Sequence, residues 1–393
     1  MIGETVPRHR RPGEYDPGLR HTEVARAGTR IGGVANARAG QVLLLAPSRG
    51  LGGGIERYVQ TVQSAFNDTG VACRRLDLAR PGPAGHRALL IEAAAALAGI
   101  TEPARVIIAH RSLLPAALLL RRIRLVGGIS AICHGSDVWG TRWAPRWLLE
   151  SRLMRRPDVR LVAVSSFTAG ALFPGGQATV LPPGLSRTWF GELVSAGDQA
   201  RTGQASNEVP GAALEVMTAF RLGEWRDKGL PQLTAAIAAL GRADIRLTVC
   251  GSGEPPTDLL AHVHRYPWCG LRPGLSDSAL ARQFARASLF VLATRTRPGR
   301  RPCGEGFGLV LLEAQVAGTA VIGPAHGGSP DAYLDGVSGM TPRDETVAAL
   351  GRMLHELALH PARLTEMGRS GATWARARFA PDRYAALAVD RLL

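Results

Sequence analysis

Residues 302–318 read PCGEGFGLVLLEAQVAG. Two glutamates, Glu305 and Glu313, bracket a glycine-rich turn and an apolar run. From about Gly308 the run has helical spacing, with Leu309, Leu312 and Val316 on one face, so it reads as the start of a buried helix. A carboxylate near a helix start is favoured by the positive end of the helix dipole. That accounts for one glutamate and leaves the other without a reason. Eight residues of helix rise about 12 Å and turn about 80° beyond whole turns, so the two carboxylates sit well apart.

Outward from this stretch, short aliphatic runs alternate with helix-like segments. The runs are QVLLLAP (41–47), RVIIAH (105–110), ISAICHG (129–135), VRLVAVS (159–165) and ATVLPPG (178–184), then LEVMTAF, IRLTVCG, SLFVLAT and TAVIGP in the second half. Between the first two lies IERYVQTVQSAFND (55–68), with Ile55, Tyr58, Val59, Val62 and Phe66 on one face. The alternation argues for an α/β chain whose parallel sheets are covered on both sides. Residues 191–213, GELVSAGDQARTGQASNEVPGAA, are polar and rich in Gly, Ala and Ser, and read as a linker. The expected organisation is a flexible tail over 1–40, a Rossmann-like domain over 41–190, the linker, a second Rossmann-like domain over 214–375, and a last helix over 376–393. In such sheets ligands bind beyond the carboxyl ends of the strands, so a cleft between the domains is the expected site.

A chain of 393 residues can bury two cores, and 46% hydrophobic with 20% charged residues excludes a fibrous or wholly disordered protein. The net charge of +15 and pI of about 10.9 call for an anionic partner: nucleic acid, an acidic membrane surface or a phosphorylated ligand. The arginines are scattered through every segment, which argues against nucleic acid. Lys228 is the only lysine. Cys73, Cys133, Cys250, Cys269 and Cys303 are odd in number and far apart, with neither metal-ligand nor redox spacing; a reduced, cytoplasmic protein without a bound metal is expected. The first 40 residues lack the apolar core of a secretory signal. No run reaches 18 apolar residues. The nearest, SLLPAALLLRRIRLV (112–126), is broken by Arg121, Arg122 and Arg124; it reads as a helix packed on a sheet with a basic outer edge, or as a helix lying on a membrane surface.

The turns that follow the strands carry the chemistry. APSRGLGGGIERY (46–58) places glycines at 50, 52, 53 and 54 ahead of a helix start, where backbone amides favour an anion; its spacing is not that of a nucleotide-triphosphatase loop. His134 follows a strand directly in ICHGSDVWG (132–140), with Gly135 leaving room before the ring and Asp137 placed to orient it. In TAFRLGEWRDKGL, Arg221 and Lys228 stand on either side of a short loop, a fork and a point charge suited to a diphosphate. VCGSGEP (249–255) offers Gly251 at another strand end, open to a base or a phosphate. The separation of Glu305 and Glu313 approximates that between the sugar and the ribose of a sugar nucleotide, and the amides of Gly306, Phe307 and Gly308 can face the group between.

With these residues in view, the chain resembles the retaining glycosyltransferases of family 4, the two-Rossmann-domain GT-B type that includes sucrose synthases and bacterial mannosyl- and glucosyltransferases. The resemblance rests on GEGFGLVLLEAQVAGTAVI, GGSPDAYLDGVSG (327–339), FRLGEWRDKG, GGGIERYV, HGSDVW and VAVSSFTAGAL, in order along residues 41–393. It implies an acceptor-binding first domain and a nucleotide-sugar-binding second domain, with the last segment, FAPDRYAALAVDRLL, crossing back to the first. By resemblance, Glu305 holds hydroxyls of the transferred sugar, Glu313 the ribose, and Arg221 and Lys228 the diphosphate. Gly53 and Gly54 face the donor phosphate, His134 lies by the sugar and acceptor, and Gly251, Gly306, Phe307, Gly308 and Leu309 complete the donor site. Asp331 departs from the family, which usually has a glutamate there.

The implied reaction moves a hexosyl unit from a UDP-, GDP- or other nucleoside diphosphate sugar to a hydroxyl acceptor, with retention, no cofactor and no metal. A lipid-linked acceptor stays open through the Trp- and Arg-rich WGTRWAPRW (139–147), which otherwise covers a helix, as does peripheral contact with the inner membrane face. The basic loop RTRPGRRPC (295–303) reads as reaching for an anionic acceptor or phosphate, or as a solvated loop. Two other readings are a sugar-nucleotide epimerase of the same fold and a non-catalytic basic protein that binds membrane or nucleic acid. The glutamate pair argues against the first, and the filled donor positions against the second.

Overall fold

The computed structural model describes residues 41–47, 53–98, 100–122, 126–135, 138, 145–172, 177–204, 213–297 and 302–393. The expected tail (1–40), Gly50, Gly52, Asp137, residues 139–144 and residues 298–301 lie outside the described residues.

The first half builds a sheet from β1 (Val42–Ala46), β2 (Cys73–Asp77), β3 (Ala104–Ile108), β4 (Val126–Cys133), β5 (Val159–Ala163) and β6 (Ala178–Val180). All its pairings are parallel, in the order β2-β1-β3-β4-β5-β6. Strand β1 is buried at every position, as expected for an aliphatic run covered on both faces. The covering helices are α1 (Gly54–Asp68), α2 (Pro83–Ala98), α3 (Leu114–Arg121), α4 (Pro145–Met154) and α5 (Ser166–Leu172). Helix α3 packs Leu114, Ala116, Ala117 and Leu120 inward, the first of its two readings.

The second half repeats the plan with β7 (Leu214–Arg221), β8 (Ile245–Ser252), β9 (Cys269–Pro273), β10 (Leu289–Val291), β11 (Ala320–Ile322) and β12 (Gly339–Met340). The order β9-β8-β7-β10-β11-β12 is again all parallel. This is the doubly wound order whose ligand crevice opens where the winding reverses, between β7 and β10. Arg221 ends β7, and Thr294 and Glu305 follow β10, so the order itself brings these residues to one crevice.

Helix α6 (Arg187–Gln204) joins the halves. This corrects the reading of residues 191–213 as a linker: up to Gln204 the chain is helical. Trp189, Leu193, Ala196 and Gly197 are buried at helical spacing. Two of these four are small residues, which made the apolar stripe look like a polar, flexible stretch. The second half adds α7 (Leu230–Ala239), α8 (Thr257–His264), α9 (Asp277–Arg286), α10 (Leu309–Val316), α11 (Val347–Leu359), α12 (Pro361–Arg378) and α13 (Pro381–Leu392). The last crosses back as expected. Its Leu392 carbonyl accepts from Ser130 Oγ of β4 at 2.8 Å, and Tyr384 packs so tightly on Gly184 that a methyl group there would lie 2.5 Å from the ring.

One apolar core runs from Leu44 and Phe66 through Trp189 and Leu193 of α6 and Ala388 of α13 to Phe290 and Leu312. Each large aliphatic or aromatic side chain gains about 1.5–3 kcal/mol by burial. The two halves are therefore joined by shared core and not merely tethered. Among the described residues, no helix is long and apolar enough to cross a membrane.

Candidate active site in the crevice between the two sheets

Glu305 is held wholly from its own half. Its Oε2 accepts from Lys228 Nζ and from Thr294 Oγ1, both at 3.1 Å, and its Oε1 accepts from the Gly308 amide at 3.1 Å. The last bond ties this carboxylate to the residue that opens α10, in keeping with its reading as a helix-start carboxylate. Lys228 reaches it because the loop after β7 presses onto the end of β10. Gly229, at φ +74°, sits so close that a methyl group would lie 1.9 Å from the Ala293 carbonyl oxygen. Burial pulls the Lys228 ammonium towards its neutral form, but Glu305, with smaller help from Glu224 and Cys303, offsets this and the net pKa is raised. The only lysine is thus a charged, mostly covered group at the crevice.

Arg221 faces the other half. A methyl group on Gly53 would lie 2.4 Å from its Nη2, so the guanidinium rests on the glycine that opens α1. Gly53 has φ 99° and ψ −177°, a conformation essentially restricted to glycine. Arg221 also pairs with Glu224 at 3.3 Å. Gly54, by contrast, has open space around it. His134 directs Nε2 to the Ala109 carbonyl oxygen at 2.8 Å, and since a carbonyl only accepts, Nε2 carries the hydrogen. The Tyr58 ring meets the His134 ring edge-on at 5.5 Å. The two halves touch here: a methyl group on Gly306 would lie 1.9 Å from the His134 carbonyl oxygen.

Glu313 is only 2% exposed and is held largely from outside its own domain. Its Oε1 accepts from Arg57 Nη1 of α1 and from Trp189 Nε1 of α6, each at 2.9 Å. Burial raises its pKa above the ordinary carboxylate value, while Arg57 and Trp189 pull the other way. Arg57 in turn is 3.3 Å from Asp277 and stacks 5.0 Å from the Trp189 ring centroid. Its own pKa is raised, chiefly by Glu313.

Other expected positions are filled by protein. Gly251 lies in β8, where a methyl group would meet the Phe220 carbonyl oxygen at 2.1 Å, so neighbouring backbone accounts for that glycine. Phe307 turns its ring inward, 6.3 Å from Phe379, and is part of the buried core. Leu309 is half-buried, and Leu311 is the fully buried position near the start of α10. Asp331 receives the amide and, at 2.7 Å, the hydroxyl of Ser166, and so ties α5 of the first half to the second. Sequence reading missed Arg57, Trp189, Thr294 and Ser166 as site-side residues. Arg57 had a signal: it stands between Ile55 and Tyr58 on the buried edge of α1. Among the described residues, no group of three or more His, Cys, Asp or Glu is arranged to hold a metal.

Two parallel sheets face a crevice that gathers cations after β7 and carboxylates just before and within α10, the architecture of a sugar-transfer enzyme of the GT-B class. Residues 214–359 match the family model for glycosyl transferases group 1. Among relatives, the chain is 29% identical over 303 residues to a Mycobacterium tuberculosis GDP-mannose-dependent alpha-(1-6)-phosphatidylinositol monomannoside mannosyltransferase, covering 71% of this chain and 73% of that protein. A D-inositol 3-phosphate glycosyltransferase of Streptomyces avermitilis is 38% identical over 101 residues, covering 26% of this chain and 20% of its own. In fold, sucrose-phosphate synthase from Thermosynechococcus elongatus superposes with a TM-score of 0.69 at 18% identity, covering 89% of this chain and 98% of the synthase. Anabaena HepE, solved in complex with UDP and glucose, gives 0.67 at 15% identity, covering 90% and 99%.

Proposed function

We propose that the enzyme moves a hexosyl unit from a nucleoside diphosphate sugar to a hydroxyl acceptor with retention at the anomeric carbon. The observation that carries this reading is the pairing of two cations at one crevice, Lys228 on Glu305 and Arg221 on Gly53 across from it. Both would meet the diphosphate, whose charge grows as its bond to the sugar breaks. Glu305 would hold sugar hydroxyls, Glu313 the ribose, and His134 would lie beside the sugar and acceptor.

Retaining hydrolases place two carboxylates about 5 Å apart and use one as nucleophile. Glu305 and Glu313 are held by separate partners, Glu305 by Lys228, which suits a front-face route instead. The bond from the anomeric carbon to the phosphate oxygen breaks. A bond to the acceptor oxygen forms on the same face, and the acceptor proton passes to the leaving phosphate.

The names of the relatives favour GDP-mannose as the first donor to try and an inositol-bearing acceptor, free or lipid-linked. A lipid acceptor also fits the surface of the first half. Leu119 of α3 and Leu148 and Leu149 of α4 are exposed, as are Arg152 of α4 and Arg122 and Arg155, each just past the end of one of these helices. Such a mixture of leucine and arginine suits an acidic bilayer surface.

Calorimetric titration with GDP, UDP, ADP and dTDP tests the donor reading. One nucleotide should bind, and both Lys228→Ala and Glu313→Ala should weaken it. A folded protein that binds none of the four refutes it.

A further inference from the structure

We propose that Arg57 is the positioning residue for Glu313, so that the ribose end of the donor site is completed by a side chain of the opposite domain. This rests on the reading of Glu313 as the ribose carboxylate.

The geometry is specific. Arg57 comes from the first turn of α1, four residues beyond the glycine on which Arg221 rests. Its guanidinium is held on three sides: Glu313 at 2.9 Å, Asp277 at 3.3 Å, and the Trp189 ring 5.0 Å from Cζ. A surface ion pair between long side chains contributes little because both must be frozen. Here the freezing is shared among three partners, and one carboxylate is buried. The Arg57 and Trp189 donors converge on Oε1. An ionised carboxylate has about four acceptor sites on two oxygens, so two donors on one oxygen fix the plane of the group and direct Oε2 for a pair of hydroxyls. Arg57 also opposes the burial that favours the neutral acid, and only the ionised form accepts from two hydroxyls at once.

A plain interdomain ion pair is the competing account. It predicts that losing Arg57 weakens every ligand of the crevice alike. Positioning predicts a loss confined to ribose hydroxyls.

The test is calorimetric titration of the full chain with GDP and UDP, each beside its 2′,3′-dideoxy counterpart, for the unmodified protein, Arg57→Ala, Arg57→Lys and Glu313→Gln. The unmodified protein should prefer the ribose form of its nucleotide by about tenfold or more, the worth of one charge-assisted hydrogen bond. Arg57→Ala and Glu313→Gln should each bring that preference to within about twofold while leaving dideoxy binding nearly unchanged; Arg57→Lys should keep part of it. Equal weakening of both forms by Arg57→Ala, or a preference that survives in Arg57→Ala but not in Glu313→Gln, overturns the role of Arg57 alone. No ribose preference in the unmodified protein overturns the reading of Glu313 and the inference with it.

Discussion

The two carboxylates of the crevice are eight residues apart and are built in opposite ways. Glu305 is held by Lys228, Thr294 and the Gly308 amide, all from its own half. Glu313 is held by Arg57 of the first half and Trp189 of the joining helix. If Glu305 takes the sugar and Glu313 the ribose, as proposed, the sugar end of the site is formed within one domain, whereas the ribose end needs both. Relative motion of the halves would leave Glu305 paired and part Glu313 from Arg57.

The sharpest way to break this contrast is at the preformed end. Lys228→Ala should lower turnover by about 10²–10³-fold, the usual loss for a removed transition-state donor, and leave the ribose preference intact. A folded variant with full turnover would sink the assignment of charge to Lys228. Next in size is Gly53→Ala. The new side chain must leave a conformation costing about 1–3 kcal/mol for non-glycine residues, and it must displace Arg221. Steady-state kinetics should show the donor KM rising about tenfold with a lowered melting temperature.

A third prediction concerns pH. The raised pKa of Glu313 means that the folded protein holds that proton more tightly than the unfolded chain. The stability cost of ionising it is absent below the unfolded value and complete above the folded one. Nucleotide affinity should accordingly fall as the solution is acidified through the folded pKa. In Arg57→Ala one lowering influence is gone, with Asp277 left as a nearby acid that raises the pKa further, so the fall should begin at higher pH. Titrations between about pH 5 and pH 8 will show the shift or its absence. The smallest effect expected is that of Ser166→Ala, which removes the hydroxyl bond to Asp331 and keeps the amide bond. It should cost about 1 kcal/mol, a fall of roughly 2 °C in melting temperature.

Most of the architecture was legible because parallel strands buried on both faces are short aliphatic runs that little else imitates. The strands that escaped, CRRLD of β2, CGLRP of β9 and GM of β12, lie at sheet edges. Edge strands face solvent on part of their surface, so charge and glycine replace the aliphatic signal. Within the site, Glu305, Lys228 and Arg221 could be found because they stand beside turns in one half of the chain. The pairing of Arg57 and Trp189 with Glu313 could not: the spacing is 256 and 124 residues, and although Arg57 stands on the buried edge of α1, no local pattern encodes its partner across a crevice. The helical stripe of α6 was visible in the sequence but written partly in alanine and glycine, which pack as well as larger residues without announcing burial.

The solitary lysine has a practical corollary. Every other basic side chain is a guanidinium or an imidazole, so Lys228 is the one ε-amino group open to acylation. Its ammonium is kept charged by Glu305 and is mostly covered, so it should react slowly and chiefly at alkaline pH. A single amine-directed reagent, followed by peptide mass mapping that separates Lys228 from the amino terminus, therefore reports on one crevice position without any engineered label, and a slowing of that reaction by an added nucleotide sugar tests whether the donor covers it.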